Sequence, residues 1–94
     1  MKVLLVEDDD RQARAIVELL AKGTEEPIAA QHVHTGAAAL QQLKRQPDFD
    51  VVLVDPALSD ASGPQLVGAL VRENPAAPCL VLSGSATLAS AREA

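Results

Sequence analysis

Four carboxylates in a row, Glu7-Asp8-Asp9-Asp10, follow directly on four aliphatic residues, Val3-Leu4-Leu5-Val6. Like charges at neighbouring positions repel and raise one another's pKa, so acids gathered beside a buried strand call for a counter-ion. A hard divalent cation meets that need, because Mg²⁺ takes oxygen ligands, keeps several waters and is held by one or two carboxylates. A solvated turn accounts equally well for Asp9 and Asp10, either of which can cap a following helix. Glu7 and Asp8, nearest the strand, carry the metal reading. Another acid, Asp55, closes the run Val51-Val52-Leu53-Val54. Asp before Pro56 favours a turn. Beside Glu7 and Asp8, however, a carboxylate oriented and partly neutralised by a cation can attack phosphorus and form an aspartyl phosphate. Ser83, after Cys79-Leu80-Val81-Leu82, could donate its hydroxyl to a phosphoryl oxygen, or serve as an ordinary strand-end polar residue.

The elements that must position these groups alternate along the chain. Strands are expected at Lys2 to Val6, Val51 to Val54 and Cys79 to Leu82, with a weaker, edge-like candidate at Ile28 to His34. Helical spacing puts Ile16, Val17, Leu19 and Leu20 on one face of Arg11 to Lys22, which Gly23 stops. Gly36 to Leu43 follows a Thr35 cap. Pro64 to Arg72 carries Leu66, Val67, Leu70 and Val71 after Ser62 as N-cap, with proline at a first-turn position. Thr87 to Ala94 reads as the start of a last helix. The pattern β-α-β-α-β-α-β-α argues a parallel sheet with right-handed crossovers. In such open sheets functional groups gather beyond the carboxyl ends of the strands, where Glu7, Asp8, Asp55 and Ser83 fall.

The 94 residues carry a net charge of −5 with eight Lys and Arg and no basic stretch, which excludes direct nucleic-acid binding through phosphate contacts. No apolar run approaches membrane-spanning length and no signal-peptide h-region opens the chain, so a cytoplasmic setting is expected. Cys79 reads as a small buried hydrophobe. His32 and His34, two apart on the edge strand, could touch a metal from one side. With no carboxylate near them in sequence they read as surface histidines without a role.

Three blocks together resemble the receiver domain of two-component response regulators: Val3 to Asp9, Asp50 to Gly63, and Pro78 to Gly84, supported by Thr35-Gly36-Ala37-Ala38-Ala39-Leu40. The resemblance implies a flavodoxin-like, doubly wound parallel α/β sheet of order 2-1-3-4. It implies a single receiver domain over residues 1–94, incomplete at the C-terminus and lacking the fifth strand and last helix. It assigns Asp55 as phosphoacceptor, Glu7, Asp8, Asp55 and the Ala57 backbone carbonyl as the Mg²⁺ site, and Ser83 as the phosphoryl contact and switch. Asp9 and Asp10 match no catalytic position and fall to capping. The implied partner is a histidine kinase or histidine phosphotransfer protein, and the implied role is signal transfer, not enzymatic turnover.

Three departures stand beside the resemblance. The family's strand-end lysine has no counterpart, since the last lysine is Lys44. The family's aromatic switch residue has none either, because Phe49, the only aromatic, precedes the third strand and reads as core. Pro56 replaces a large apolar residue and removes one N–H donor. A fourth strand left at the sheet edge would favour a homodimer through that edge. Two further readings follow: a degenerate receiver serving as a non-switching dimerisation or docking module, and a small metal-dependent phosphohydrolase. The latter wants a second Asp two residues after Asp55, where Ala57 stands.

Overall fold

Val3 to Val6 and Val51 to Val54 are aliphatic at every position, the pattern of strands covered on both faces. In the computed structural model, which describes residues 1–55, 58, 60 and 63–82, they form the two inner strands of a parallel sheet. The elements run β1 (Lys2–Val6), α1 (Asp10–Lys22), β2 (Ala29–Val33), α2 (Gly36–Arg45), β3 (Val51–Val54), α3 (Gly63–Glu73) and β4 (Cys79–Val81). The strand order is β2-β1-β3-β4 and every pairing is parallel. This is the flavodoxin-like order that the resemblance implies. The helix expected at 87–94 and the Ser62 cap lie outside the described residues.

Because side chains alternate across a strand, each inner strand feeds two cores. Leu4, Val6, Val52 and Val54 point to the face covered by α2 and α3, where they meet Ala39, Leu43, Phe49, Leu66 and Leu70. Val3, Leu5 and Leu53 point to the other face and pack with Ala13, Ile16, Val17 and Leu20 of α1. Phe49 is core, as expected, and the Lys2 ammonium lies 5.2 Å from its ring centroid. Two residues expected on buried helix faces are exposed, Leu19 at 49% and Val71 at 42%. At about 100° per residue, Leu19 lies away from the arc shared by Ala13, Ile16 and Leu20, and Val71 lies away from that of Leu66 and Leu70.

Local chemistry sets the element ends. Asp9 takes an extended conformation and its carboxylate accepts from the N–H of Arg11 at 2.8 Å and of Gln12 at 3.2 Å, so Asp9 is the N-cap and Asp10 the first helical residue. Thr35 caps α2 through Ala38 N–H at 3.0 Å. Gly23 closes α1 with its N–H directed to Leu19 and Leu20 carbonyls, at a right-handed φ of −85°. Buried Asn74 ends α3, accepting from Ala76 N–H at 3.2 Å and donating to the Pro47 carbonyl.

Candidate functional site

The carboxyl ends of β1 and β3 meet at one point of the sheet. The ladder pairs Val6 with Val54 and continues one step further, with Asp55 N–H donating to the Val6 carbonyl at 2.9 Å. On the opposite side Glu7 N–H donates to the Val33 carbonyl at 3.0 Å. Both acids are thereby held by sheet hydrogen bonds and both are nearly covered, Glu7 at 2% and Asp55 at 7% exposure. Asp8 is exposed and closes the group from the solvent side. Each of the three residues offers a carboxylate oxygen, and these oxygens all lie within 4.8 Å of one another. The convergence expected from the sequence is therefore present for Glu7, Asp8 and Asp55. Ala57 and Ser83, assigned by resemblance to the metal site and the phosphoryl contact, lie outside the described residues, as does Pro56.

Electrostatics mark this cluster. The Glu7 carboxyl is pushed up to about 7, first by burial and then by its hydrogen bond to Asp55 and the Asp55 charge. The Asp9 N–H, donated to Glu7 Oε1 at 3.1 Å, pulls the other way. A carboxyl that holds its proton near neutrality beside a second buried acid is a group whose proton a cation can replace. Three hard oxygen donors, one of them solvent-facing, fit Mg²⁺. Glu7, Asp8 and Asp55 are the described residues that would hold it, and bound there it would offset negative charge on incoming phosphoryl oxygens.

Two further sets of contacts join residues distant in the sequence. The Asp60 carboxylate reaches from the segment after β3 to the start of α2, accepting from Gly36 N–H at 3.0 Å and Ala37 N–H at 3.2 Å. Those two donors hold its carboxyl below the usual carboxylate range. The histidines, which have no carboxylate near them in sequence, have one in space. His34 Nε2 lies 2.6 Å from Asp10 Oδ1, across 24 residues of chain. Half-buried His32 places Nε2 2.6 Å from the Glu7 carbonyl oxygen. Of the two acids that could cap α1, Asp9 does so and Asp10 faces this histidine pair.

The family model that matches is the response regulator receiver domain, and it matches residues 3–94. The chain belongs to that family. Solved receivers share its shape. The N-terminal domain of a response regulator/sensory box/GGDEF 3-domain protein from Carboxydothermus hydrogenoformans is 28% identical with a TM-score of 0.75, covering 87% of this receiver and 63% of that chain. The non-phosphorylated HemR receiver domain from Leptospira biflexa is 27% identical at a TM-score of 0.70, over 98% of this receiver and 71% of its own length. A Burkholderia pseudomallei response regulator, solved with a phosphorylated aspartic acid, calcium ion and citrate, is 27% identical at 0.75, over 98% and 52%. This receiver thus spans less than two thirds of the Carboxydothermus and Burkholderia chains. Comparison with curated protein sequences gave no match. No helix among the described residues is long and apolar enough to cross a membrane.

Proposed function

We propose that this receiver accepts a phosphoryl group on Asp55 from the phosphohistidine of a histidine kinase or histidine phosphotransfer protein, with Mg²⁺ held by Glu7, Asp8, Asp55 and the Ala57 carbonyl. The observation that carries the reading is the meeting of three carboxylates at the ends of β1 and β3, two of them buried. An Asp55 oxygen attacks phosphorus, the P–N bond to the donor imidazole breaks, and its electron pair returns to the ring nitrogen. Asp55 is aimed for this by its backbone bond to Val6, and Glu7 by its bond to Val33. Ser83 would contact the new phosphoryl oxygens, and the bound charge would bias a two-state equilibrium that partners read. The Burkholderia neighbour, with its phosphorylated aspartic acid and a divalent ion, supports the same chemistry here. The chain acts in this reading as a cytoplasmic signalling module and turns over no substrate of its own.

The test is acetyl phosphate or beryllofluoride with Mg²⁺, followed by intact mass and NMR. A gain of one phosphoryl group in the wild-type chain and none in Asp55→Asn is expected; equal modification of both would reject the assignment. A second reading, a receiver that docks or dimerises without switching, is favoured by Pro56, which has no N–H to offer a phosphoryl oxygen. Titration with Mg²⁺ separates the two. The phosphoaccepting reading requires saturable binding that weakens by about tenfold or more in Asp8→Ala, the loss attached even to outer-shell partners of a metal.

A further inference from the structure

Apart from the acidic pocket, one other cluster among the described residues brings metal-binding atoms together: Asp10, His32 and His34, whose ligand atoms all lie within 4.8 Å of one another. It joins the start of α1 to the end of β2. His32 and His34 are two apart along an extended segment and so share a face, with ring centroids 4.3 Å apart and planes tilted by 40°. Asp10 Oδ1 stands 2.6 Å from His34 Nε2 and 3.9 Å from His32 Nδ1, so one carboxylate oxygen faces both rings.

The decisive contact lies on the far side of His32. Its Nε2 sits 2.6 Å from the Glu7 carbonyl oxygen. A carbonyl only accepts, so Nε2 carries the proton, and in the neutral ring the lone pair is on Nδ1, the atom turned toward Asp10. A ring nitrogen fixed by donation to a backbone carbonyl while the other nitrogen stays bare is how metal-bound imidazoles are oriented. A surface histidine that merely covers an edge strand has no need of such a fixed tautomer.

We propose that Asp10, His32 and His34 form a second cation site, separate from the acidic pocket, for a borderline divalent ion of the zinc class. Two imidazoles and one carboxylate suit Zn²⁺, whereas Mg²⁺ takes oxygen donors. With bonds of about 2.0 to 2.2 Å, the ligand atoms of a tetrahedral site stand roughly 3.3 to 3.5 Å apart. The observed 2.6 and 3.9 Å straddle that spacing. Asp10 and His34 are 70% and 56% exposed, so small rotations close the site and the ion has an open path to it. The fourth position stays with water. Once filled, the site ties the start of α1 to the end of β2 by metal–ligand bonds added to the sheet pairing that brings the three residues together.

The test titrates Zn²⁺ calorimetrically into the tag-free 94-residue chain with Mg²⁺ present at saturation, alongside imidazole ¹⁵N NMR and thermal melts. One ion per chain is expected, with His32 Nδ1 and His34 Nε2 resonances shifting and Tm rising. His34→Ala, an exposed position whose fold is checked by circular dichroism, should weaken binding by about tenfold or more and abolish the rise in Tm. Asp55→Asn should leave Zn²⁺ binding intact. Binding that survives His34→Ala overturns the site, as does binding lost with Asp55→Asn, which would place the ion in the acidic pocket. One ion shared between two chains would overturn a site built within one chain. No binding at all would likewise overturn the site and leave the Asp10–His34 contact as a hydrogen bond only.

Discussion

At the scale of single residues, Glu7 decides how the pocket behaves when no metal is supplied. Its carboxyl titrates near 7 in the folded chain against an ordinary 4.5. Between those values the folded state keeps a proton that the unfolded chain has released, so stability falls as pH rises through the window and levels off above it. Melts with a chelator present should show this decline from pH 4.5 to 7, and saturating Mg²⁺ should flatten or reverse it, because the ion takes the place of the proton. Glu7→Gln should remove the decline and raise Tm above pH 7 without metal, while weakening Mg²⁺ binding. A decline that persists in Glu7→Gln would place the titrating group elsewhere. The acids themselves were readable in the sequence, since a buried strand ending in carboxylates fixes where they go. The partners of His32 and His34 were not. Asp10 lies 24 residues before His34 and reaches it only because β1 and β2 pair in the register that sets Val6 opposite Val33.

Elements were legible where hydrophobic pattern and burial coincide. β1 and β3, apolar at every position, could hardly be anything but covered strands. β2, with Ala29, Ala30 and Gln31 all exposed, is a strand by virtue of its pairing with β1 and not of its own composition. The buried faces of α1 and α3 are narrower than their apolar spacing suggests, since Leu19 and Val71 neighbour core residues in sequence yet point elsewhere. Asp60 had no signal at all, because its two acceptor bonds depend on how the segment after β3 passes the start of α2. Leu70 has no exposed surface and packs against the sheet; Leu70→Ala should cost about 2 to 5 kcal/mol by urea unfolding. Gly68 is a different case. It sits inside α3, and among the described residues a Cβ there would meet only the Arg72 guanidinium at 3.6 Å. Gly68→Ala should therefore stabilise the chain by about 0.5 to 1 kcal/mol, the ordinary helix-interior cost of glycine. A loss of stability would mean the helix face is more crowded than the structure has it.

For the molecule as a whole, β4 is the outer strand of the described sheet beyond β3, and it carries Leu80 and Val81 at 56% and 45% exposure. Apolar side chains on an outer strand invite pairing with a second copy, which natural sheets discourage with lysine. Sedimentation equilibrium should show self-association that rises with concentration and falls in Leu80→Lys; a monomer at every concentration would sink this edge as a contact surface. The pocket is subject to a different constraint. Asp55 and Glu7 are fastened by the same ladder that holds β1 between its neighbours, through Val6 and Val33. No loop has to close for these two acids to meet, and no hinge can part them while the strands stay paired. Cation affinity should accordingly hold steady on warming and vanish at the unfolding midpoint, with the amides of Glu7 and Asp55 exchanging as slowly as those of the central strands. The two acids then stay together for as long as the sheet does, and a mutation that loosens the sheet should lower stability and cation affinity in step.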